Sequence, residues 1–431
     1  MSPEIAGIIG VVLLVILLFL RVWVGIAMAL VGFLGFAYIT SLKNALLILG
    51  SVPYSTLANE TVAAVPLFIL MGAMVSNTGV AGDLYKTAYK WLGQYRGGLA
   101  MATIMACGGF AAMCGSSQAT VATIGKVAMP EMKKYRYDMK LTAGSVAAGG
   151  TIGILIPPSI GFILYGILTE ESIGKLFMAG IIPGVLEAVF YMVTIFILCR
   201  LNPKMGPPGP GTSTKEKIIS LKNTWAMLAL FCLVMGGIYM GIFTPTEAGS
   251  TGAFGAIIIS FVGRRLTWAN LRGSIVETAQ TTAMIVFMIV GAFMFMRFLA
   301  ISQLPNALGE FVTGLPIPRM WILVAIIFMY IIIGCFLDIY AAIILTVPII
   351  FSAILALGFD VIWFGVILVR VMEIGLVTPP FGLNIFILAS VSDVPIGTMY
   401  RGIVPFVIAD FAHVALLVAI PSLSLFLPQT M

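Results

Sequence analysis

Apolar runs of about 18 residues or more, long enough to cross a bilayer, recur along the chain between short polar or basic stretches. The runs are continuous rather than alternating, which predicts a bundle of membrane helices and not a β-barrel. Residues 5–20 and 22–40 are two apolar segments separated by Arg21, and a polar patch at 54–61 precedes a span at about 62–78 that contains Pro66. AGDLYKTAYKWLGQYR at 80–95 has another pattern. Its Leu84, Tyr85, Ala88, Trp91 and Leu92 recur at helical spacing among basic and aromatic residues, which predicts an amphipathic helix lying in the interface. Further spans are predicted at 174–199, at about 224–243 and 248–263 with FTPTEAG (243–249) between them, at 274–300, and at 402–427.

Two apolar segments carry a break. GGTIGILIPPSIG at 149–161 has two adjacent prolines inside the segment 141–168. Pro157 lacks an N–H and its ring clashes with the carbonyl four residues back, so the helix must break there. EIGLVTPPFGLNI at 373–385 repeats the device inside 361–392. Shifted by 222 positions, Ile152, Gly153, Pro157, Pro158, Ile163, Gly180, Ile181, Pro183 and Val185 fall on Ile374, Gly375, Pro379, Pro380, Ile385, Gly402, Ile403, Pro405 and Val407. Broken backbone at membrane depth is tolerated only when buried in protein or lining a wet cavity. A chain of two halves, each with one broken helix, points to a secondary transporter with its site at the repeat interface.

Each broken helix follows a second kind of interruption. Residues 97–130 are apolar but divided by CGSSQAT at 114–120. Each arm is roughly 16 residues, about 24 Å as helix and short of a ~30 Å hydrocarbon core. Both flanks are basic, at Arg96 and at Lys133, Lys134 and Arg136, which predicts a re-entrant helical hairpin with Gly115–Ser117 at its tip. A second hairpin is predicted at 320–357, with IGCFLD (333–338) at its tip and Pro348 where the first has Pro130. Its flanks lack the lysine cluster, so it should open on the opposite face and make the repeat inverted. The fold class predicted is an all-α polytopic membrane protein with an inverted repeat, two re-entrant hairpins and two broken helices. The parts are N-terminal spans and the interfacial helix in 1–96, a first transport repeat in 97–199, a linker in 200–223, further spans in 224–319 and a second transport repeat in 320–431.

Composition agrees: the 431 residues are 61% hydrophobic and 9% charged, which excludes an ordinary soluble domain. The net charge of +6 matters mainly through placement. Lysines and arginines crowd the loops near 80–96, 131–140, 200–223 and 263–273, whereas only Arg319, Arg370 and Arg401 follow Gln303. The positive-inside rule puts those four loops in the cytoplasm. These residues flank spans, which argues against nucleic-acid binding. The stretch RLNPKMGPPGPGTSTKEKIISLKN at 200–223 reads as a flexible cytoplasmic connection. The five cysteines lack metal-site spacing and read as buried small hydrophobes, and a single histidine, His413, excludes a His-rich metal or proton relay. The first span is preceded by Glu4 without a basic n-region, so it is expected to be retained.

Broken helices expose carbonyls and half-helix ends, and C-terminal ends attract cations while N-terminal ends attract anions. A first cation site is expected from Gly115, Ser116 and Ser117 with Thr151, Gly153 and the carbonyls before Pro157. The repeat places a second at Gly334 and Asp338 with Gly375, Thr378 and the carbonyls before Pro379. The plainer reading is that these small residues only permit close helix packing. Among intramembrane charges, Arg370 and Glu373 stand three apart on one helix and are expected to pair. Arg297 has no carboxylate near it in sequence and meets either an anionic substrate or a distant partner. Ser159 and Asn384 follow the double prolines and, with Thr120 in the first tip segment, are further substrate candidates. No nucleophile–base pair, P-loop or metal motif is present, so neither an enzyme nor an ATPase motor is expected.

CGSSQATVATIGKVAMPEM, GGTIGILIPPSIGFILYGILTEESIGKLFMAGIIPG, GIFTPTEAG, GCFLDIYAAIILTVPI and EIGLVTPPFGLNIF closely resemble the large membrane subunit of tripartite ATP-independent periplasmic (TRAP) transporters, over nearly the whole chain. The resemblance implies an elevator-type transporter of the bacterial inner membrane: a scaffold, and a mobile core of two hairpins and two broken helices. It implies import of a small organic acid driven by two or more Na⁺ ions, a periplasmic substrate-binding protein, and a small four-helix membrane subunit, expected to be a separate chain. The family's Na⁺ sites map onto the two residue groups above. Sialic-acid members carry an SGSA-like first tip with a carboxylate a few residues later, where this chain has CGSSQAT with Thr120, so another carboxylate or a sulfonate is favoured over sialic acid. The rival expectation is a stand-alone Na⁺/H⁺ or citrate-type exchanger that needs no binding protein.

Overall fold

A computed structural model describes residues 2–222 and 224–431. Among them the regular structure is helical throughout. The first part holds α1 (Pro3–Phe19), α2 (Val24–Ile39), α3 (Leu42–Leu57), α4 (Glu60–Asn77) and α5 (Val80–Leu92). There follow α6 (Gly98–Cys114), α7 (Ser117–Lys134), α8 (Met139–Leu155), α9 (Ile160–Thr169) and α10 (Ile173–Leu201). After α11 (Thr214–Leu221) come α12 (Trp225–Tyr239), α13 (Pro245–Val262), α14 (Trp268–Ser302) and α15 (Leu304–Thr313). The last part holds α16 (Arg319–Phe336), α17 (Ile339–Ala356), α18 (Val361–Val377), α19 (Leu383–Ser390), α20 (Ile396–Ala419) and the short α21 (Ser422–Leu425). Seven helical segments in the described residues are long and apolar enough to cross a membrane, α8 and α9 together forming one of them.

The two helices that run into the double prolines are the most enclosed. Every residue of Leu141–Leu155 in α8 and of Trp363–Val377 in α18 is buried. A helix apolar on all sides belongs in the interior, and here it does: α8 packs on α6, α7 and α20, and α18 on α16, α20 and α8. The remaining contacts build an outer layer in which α14 packs on α2 and α4, and α13 on α4 and α12. Glycine sets the closeness of α2 and α14, since a Cβ on Gly291 would stand 2.3 Å from the carbonyl oxygen of Gly25.

Three helices lie where the hydrophobic pattern pointed to none. In α3 the polar Lys43, Asn44 and Ser51 and an internal Pro53 disguise a helix that starts on a Ser41 cap, whose Oγ accepts from the Asn44 amide. The others are α15, behind the left-handed Gln303, and α11 within the linker. The span at 274–300 is the inner part of α14, whose 35 residues extend about 50 Å.

The linker is not a loose tether. Gly97 N donates to Gly206 O at 2.9 Å, Asp138 N to Met205 O at 3.0 Å, and Gly209 N to Gly93 O at 2.8 Å. Trp91 Nε1 donates to Lys217 O at 3.2 Å and Thr87 Oγ1 to Ser220 O at 3.0 Å. Proline and glycine removed regular structure from 202–213 without removing hydrogen-bonding partners. The apolar side of α5, within 80–95, is turned to the protein: Leu84, Tyr85 and Ala88 are buried, and α5 packs on α6 with α11 alongside. Together with an Arg265–Asp83 ion pair, these bonds gather at one end of the bundle the four basic loops that the charge rule put on one side.

Arg370 and Glu373 do not pair. The Arg370 guanidinium instead bridges Glu187 on α10, with Nη1 3.1 Å from Oε1, and Asp410 on α20, and its Nε donates to His413 Nδ1 at 3.1 Å. All of these side chains are at most 1% exposed. An i,i+3 contact is worth only about 0.2–0.5 kcal/mol on a solvated helix, whereas a dry guanidinium needs several acceptors at once. Removing one partner of such a pair costs about 3–5 kcal/mol. Asp410→Ala is therefore expected to lower the thermal unfolding midpoint of the purified protein, followed by differential scanning fluorimetry, while an exposed control such as Glu310→Ala leaves it unchanged.

Candidate functional site

The first hairpin turns at Gly115, whose φ of 60° favours glycine, and Ser116 then caps α7. The tip lies on the break in the neighbouring helix. A Cβ on Gly115 would stand 2.4 Å from the carbonyl oxygen of Pro158, and one on Gly153 3.0 Å from that of Ser116. The second hairpin repeats the contact, since a Cβ on Gly375 would lie 2.5 Å from the carbonyl carbon of Gly334. Both double prolines contain a cis bond, Pro157–Pro158 and Pro379–Pro380. The breaks differ in exposure: Pro157 and Pro158 are buried, whereas Pro379 and Pro380 are exposed.

A cavity of about 590 Å³ opens beside the two tips. On one side α4 and α14 supply Gly72, Ser76, Glu277 and Thr281. On the other are Ser116 and Gln118 from the first tip, Asp338 and Tyr340 from the second, Ile160 at the start of α9 and Leu383 at the start of α19. Gln118 Nε2 donates to Asp338 Oδ1 at 3.1 Å and so joins the tips. Four helices, α7, α9, α17 and α19, thus begin at this wall, and helix N-termini favour anions. The carboxyl groups of the lining are those of Glu277 and Asp338, and no arginine or lysine is among the lining residues. The cavity is of the size that small ligands occupy.

The structure brings together most of the residues expected to hold cations and separates the rest. Gly115, Ser116, Gly153 and the Pro157 region meet at the first tip, and Gly334, Gly375 and Thr378 at the second, where the Thr378 hydroxyl donates to Ile374 O at 2.5 Å. Asp338 faces the cavity. Thr151 points elsewhere: its hydroxyl lies 2.8 Å from Glu187 Oε1 and 2.8 Å from Tyr191 Oη, in the Arg370 cluster. The substrate candidates fare less well. Thr120 is buried and donates to Ser116 O at 2.8 Å, and Ser159 caps α9 by accepting from the Phe162 amide. Asn384 donates from Nδ2 to Ser117 Oγ at 2.7 Å, behind the tip. Arg297 is exposed on α14 and is not part of the cavity wall. The residues that do line the cavity, Gln118, Glu277 and Tyr340, carry no motif of their own; only the neighbourhood of the two tips marks Gln118 and Tyr340 in the sequence.

Comparison with known proteins agrees with this architecture. The family model for the DctM component of the tripartite ATP-independent periplasmic transporter matches residues 11–423. The C4-dicarboxylate TRAP transporter large permease protein of Pseudomonas aeruginosa is 38% identical over 377 residues, covering 87% of this chain and 88% of the relative. The isethionate TRAP transporter permease protein of Oleidesulfovibrio alaskensis is 35% identical, covering 87% of this chain and 59% of that longer protein. The sialic acid TRAP transporter large permease of Vibrio cholerae is 32% identical, covering 86% and 87%. Among solved structures, the YdaH transporter of Alcanivorax borkumensis superposes with a TM-score of 0.66 at 13% identity over 88% of each chain, a likeness of fold alone.

The tip contacts leave no room for a side chain. Gly375→Ala is expected to destabilise the protein by about 1–3 kcal/mol through overpacking against Gly334, read as a lower unfolding midpoint. Gly397, whose Cβ position is open, is the control expected to show no loss of stability on conversion to alanine.

Proposed function

This chain belongs to the DctM component family of TRAP transporters, and from that premise we propose that it imports a small organic acid anion, a C4-dicarboxylate or sulfonate, coupled to Na⁺. The observation that carries the reading is the cavity that opens beside the two hairpin tips. Helix N-termini offer an anion favourable dipoles, while Glu277 and Asp338 repel it. Bound cations remove that repulsion, so the anion binds well only when cations are present. This mutual dependence is what coupling requires. The cations sit where each tip meets its broken helix: Gly115, Ser116 and Gly153 on one side, Gly334, Asp338, Gly375 and Thr378 on the other. Oxygen-rich sites of carbonyls and hydroxyls suit a hard monovalent cation.

The two repeats, 97–199 and 320–431, are inverted relative to each other and form a core that slides as an elevator against the scaffold of 1–96 and 224–319. The linker bonded to α5 and to the base of the first hairpin joins the two parts. In this reading the chain works in the inner membrane with a small membrane subunit and a periplasmic binding protein that delivers the substrate.

The test is uptake by liposomes holding this chain and its small subunit. A panel of radiolabelled carboxylates and sulfonates is offered with and without a Na⁺ gradient and the binding protein. Uptake that needs both is expected and names the substrate; uptake indifferent to the binding protein would replace this reading with a stand-alone exchanger. Ser116→Ala and Asp338→Asn are expected to raise the Na⁺ concentration for half-maximal uptake about tenfold, the equivalent of about 1.4 kcal/mol of cation binding. An unchanged Na⁺ dependence in both would remove them from the sites.

A further inference from the structure

The helix of the linker, α11, is bonded to the protein along one side only. Its Lys217 and Ser220 carbonyls accept from Trp91 Nε1 and Thr87 Oγ1 of α5, and Ser220 is buried. At about 100° per residue, the direction opposite Lys217 and Ser220 belongs to Lys215, Ile218, Ile219 and Lys222, the i, i+3, i+4, i+7 set of one face. All four are exposed, Ile218 by 62% and Ile219 by 52%. The helix therefore turns two adjacent isoleucines outward, with a lysine on either side of them along its axis. No acid offsets these lysines. Glu216, the acid of α11, is engaged in a capping box with Ser213, and the ion pairs among the described residues are those of Arg265 and Arg370. That box and the bonds to α5 hold in shape a helix that eight residues would not sustain alone.

The position of α11 is that of the membrane edge. It ends just before the apolar α12 begins at Trp225, which is 63% exposed, and it touches Trp91, which is 41% exposed. Exposed tryptophans at helix ends mark the level of the headgroups. We propose that the outward face of α11 binds anionic phospholipid of the cytoplasmic leaflet. Ile218 and Ile219 enter the acyl boundary, and Lys215 and Lys222, about 10 Å apart along the axis, take headgroup phosphates. The chemistry selects this occupant. A soluble acidic partner satisfies the lysines and leaves the isoleucines in water. A second copy seated on the same face brings lysine towards lysine. A surface with anions at its rim and hydrocarbon beneath satisfies both residue types, as for any amphipathic helix lying in the interface. The basic end of the bundle faces the leaflet that carries anionic lipid. The linker is then a strap, fastened to α5 on one side and to the bilayer on the other. This needs only the membrane placement of the chain and stands apart from the transport cycle.

The test is hydrogen–deuterium exchange of the full chain in nanodiscs of phosphatidylcholine alone and of phosphatidylcholine with added phosphatidylglycerol. With phosphatidylglycerol the amides of Thr214–Leu221 are expected to exchange about tenfold more slowly, while those of the buried α8 stay as they were. Lys215→Gln combined with Lys222→Gln is expected to abolish the difference between the two lipids. Ile218→Ser combined with Ile219→Ser is expected to speed exchange of α11 in both. Equal exchange of wild-type α11 in the two lipids overturns the proposal, and so does a difference that survives in the lysine variant. Protection that appears in phosphatidylcholine alone on raising the chain concentration, or on adding the small membrane subunit, assigns the face to a protein partner and overturns it as well. The wild-type comparison decides the matter even if a variant does not fold.

Discussion

Unpaired backbone cannot face hydrocarbon, and this chain breaks two of its most buried helices with paired prolines. The rest of the architecture answers that constraint. Each break is covered by the tip of a helical hairpin, and the cover is close enough that glycine is required at Gly115, Gly153, Gly334 and Gly375. Covering a break with a tip also concentrates carbonyls and helix ends at one place. In the proposed function, the solution to a backbone problem is therefore also the ligand-binding surface.

The interior around these breaks is held together differently from its apolar surroundings. Arg370 links α18 to α10 and α20 through Glu187 and Asp410, and Thr151 and Tyr191 extend the network to α8. Such a network contributes little net stability compared with apolar packing but is costly to leave incomplete. It fixes how the broken helices sit against the long helices that follow them. Pairs of glycines allow equally close approaches elsewhere, as at Gly144 and Gly402 between α8 and α20.

The cavity beside the tips combines opposing fields. Four helix N-termini favour an anion, and two acidic side chains oppose it. In the proposed cycle this opposition is useful, because a site that binds an anion only in the company of cations does not carry the anion alone. The two breaks differ in exposure, the first enclosed and the second open to the surface.

The sequence by itself determined where the helices stop. Proline chemistry is local, so the double prolines, the glycine turns and the polar tips mark both breaks and both hairpins, and the repeat pairs them. It also determined which loops share a side, because basic flanks are sorted by position and not by contacts. Helices with mixed composition, such as α3, were hidden because their apolar side is interrupted by polar residues and a proline. Which groups meet across the interior was decided by the tertiary structure alone. Arg370 bonds with Glu187 and Asp410, about 180 and 40 positions away, rather than with Glu373, and Asn384 turns to Ser117 rather than to the cavity. A buried charge takes the set of partners that packing makes available, and no spacing along one helix reports that set.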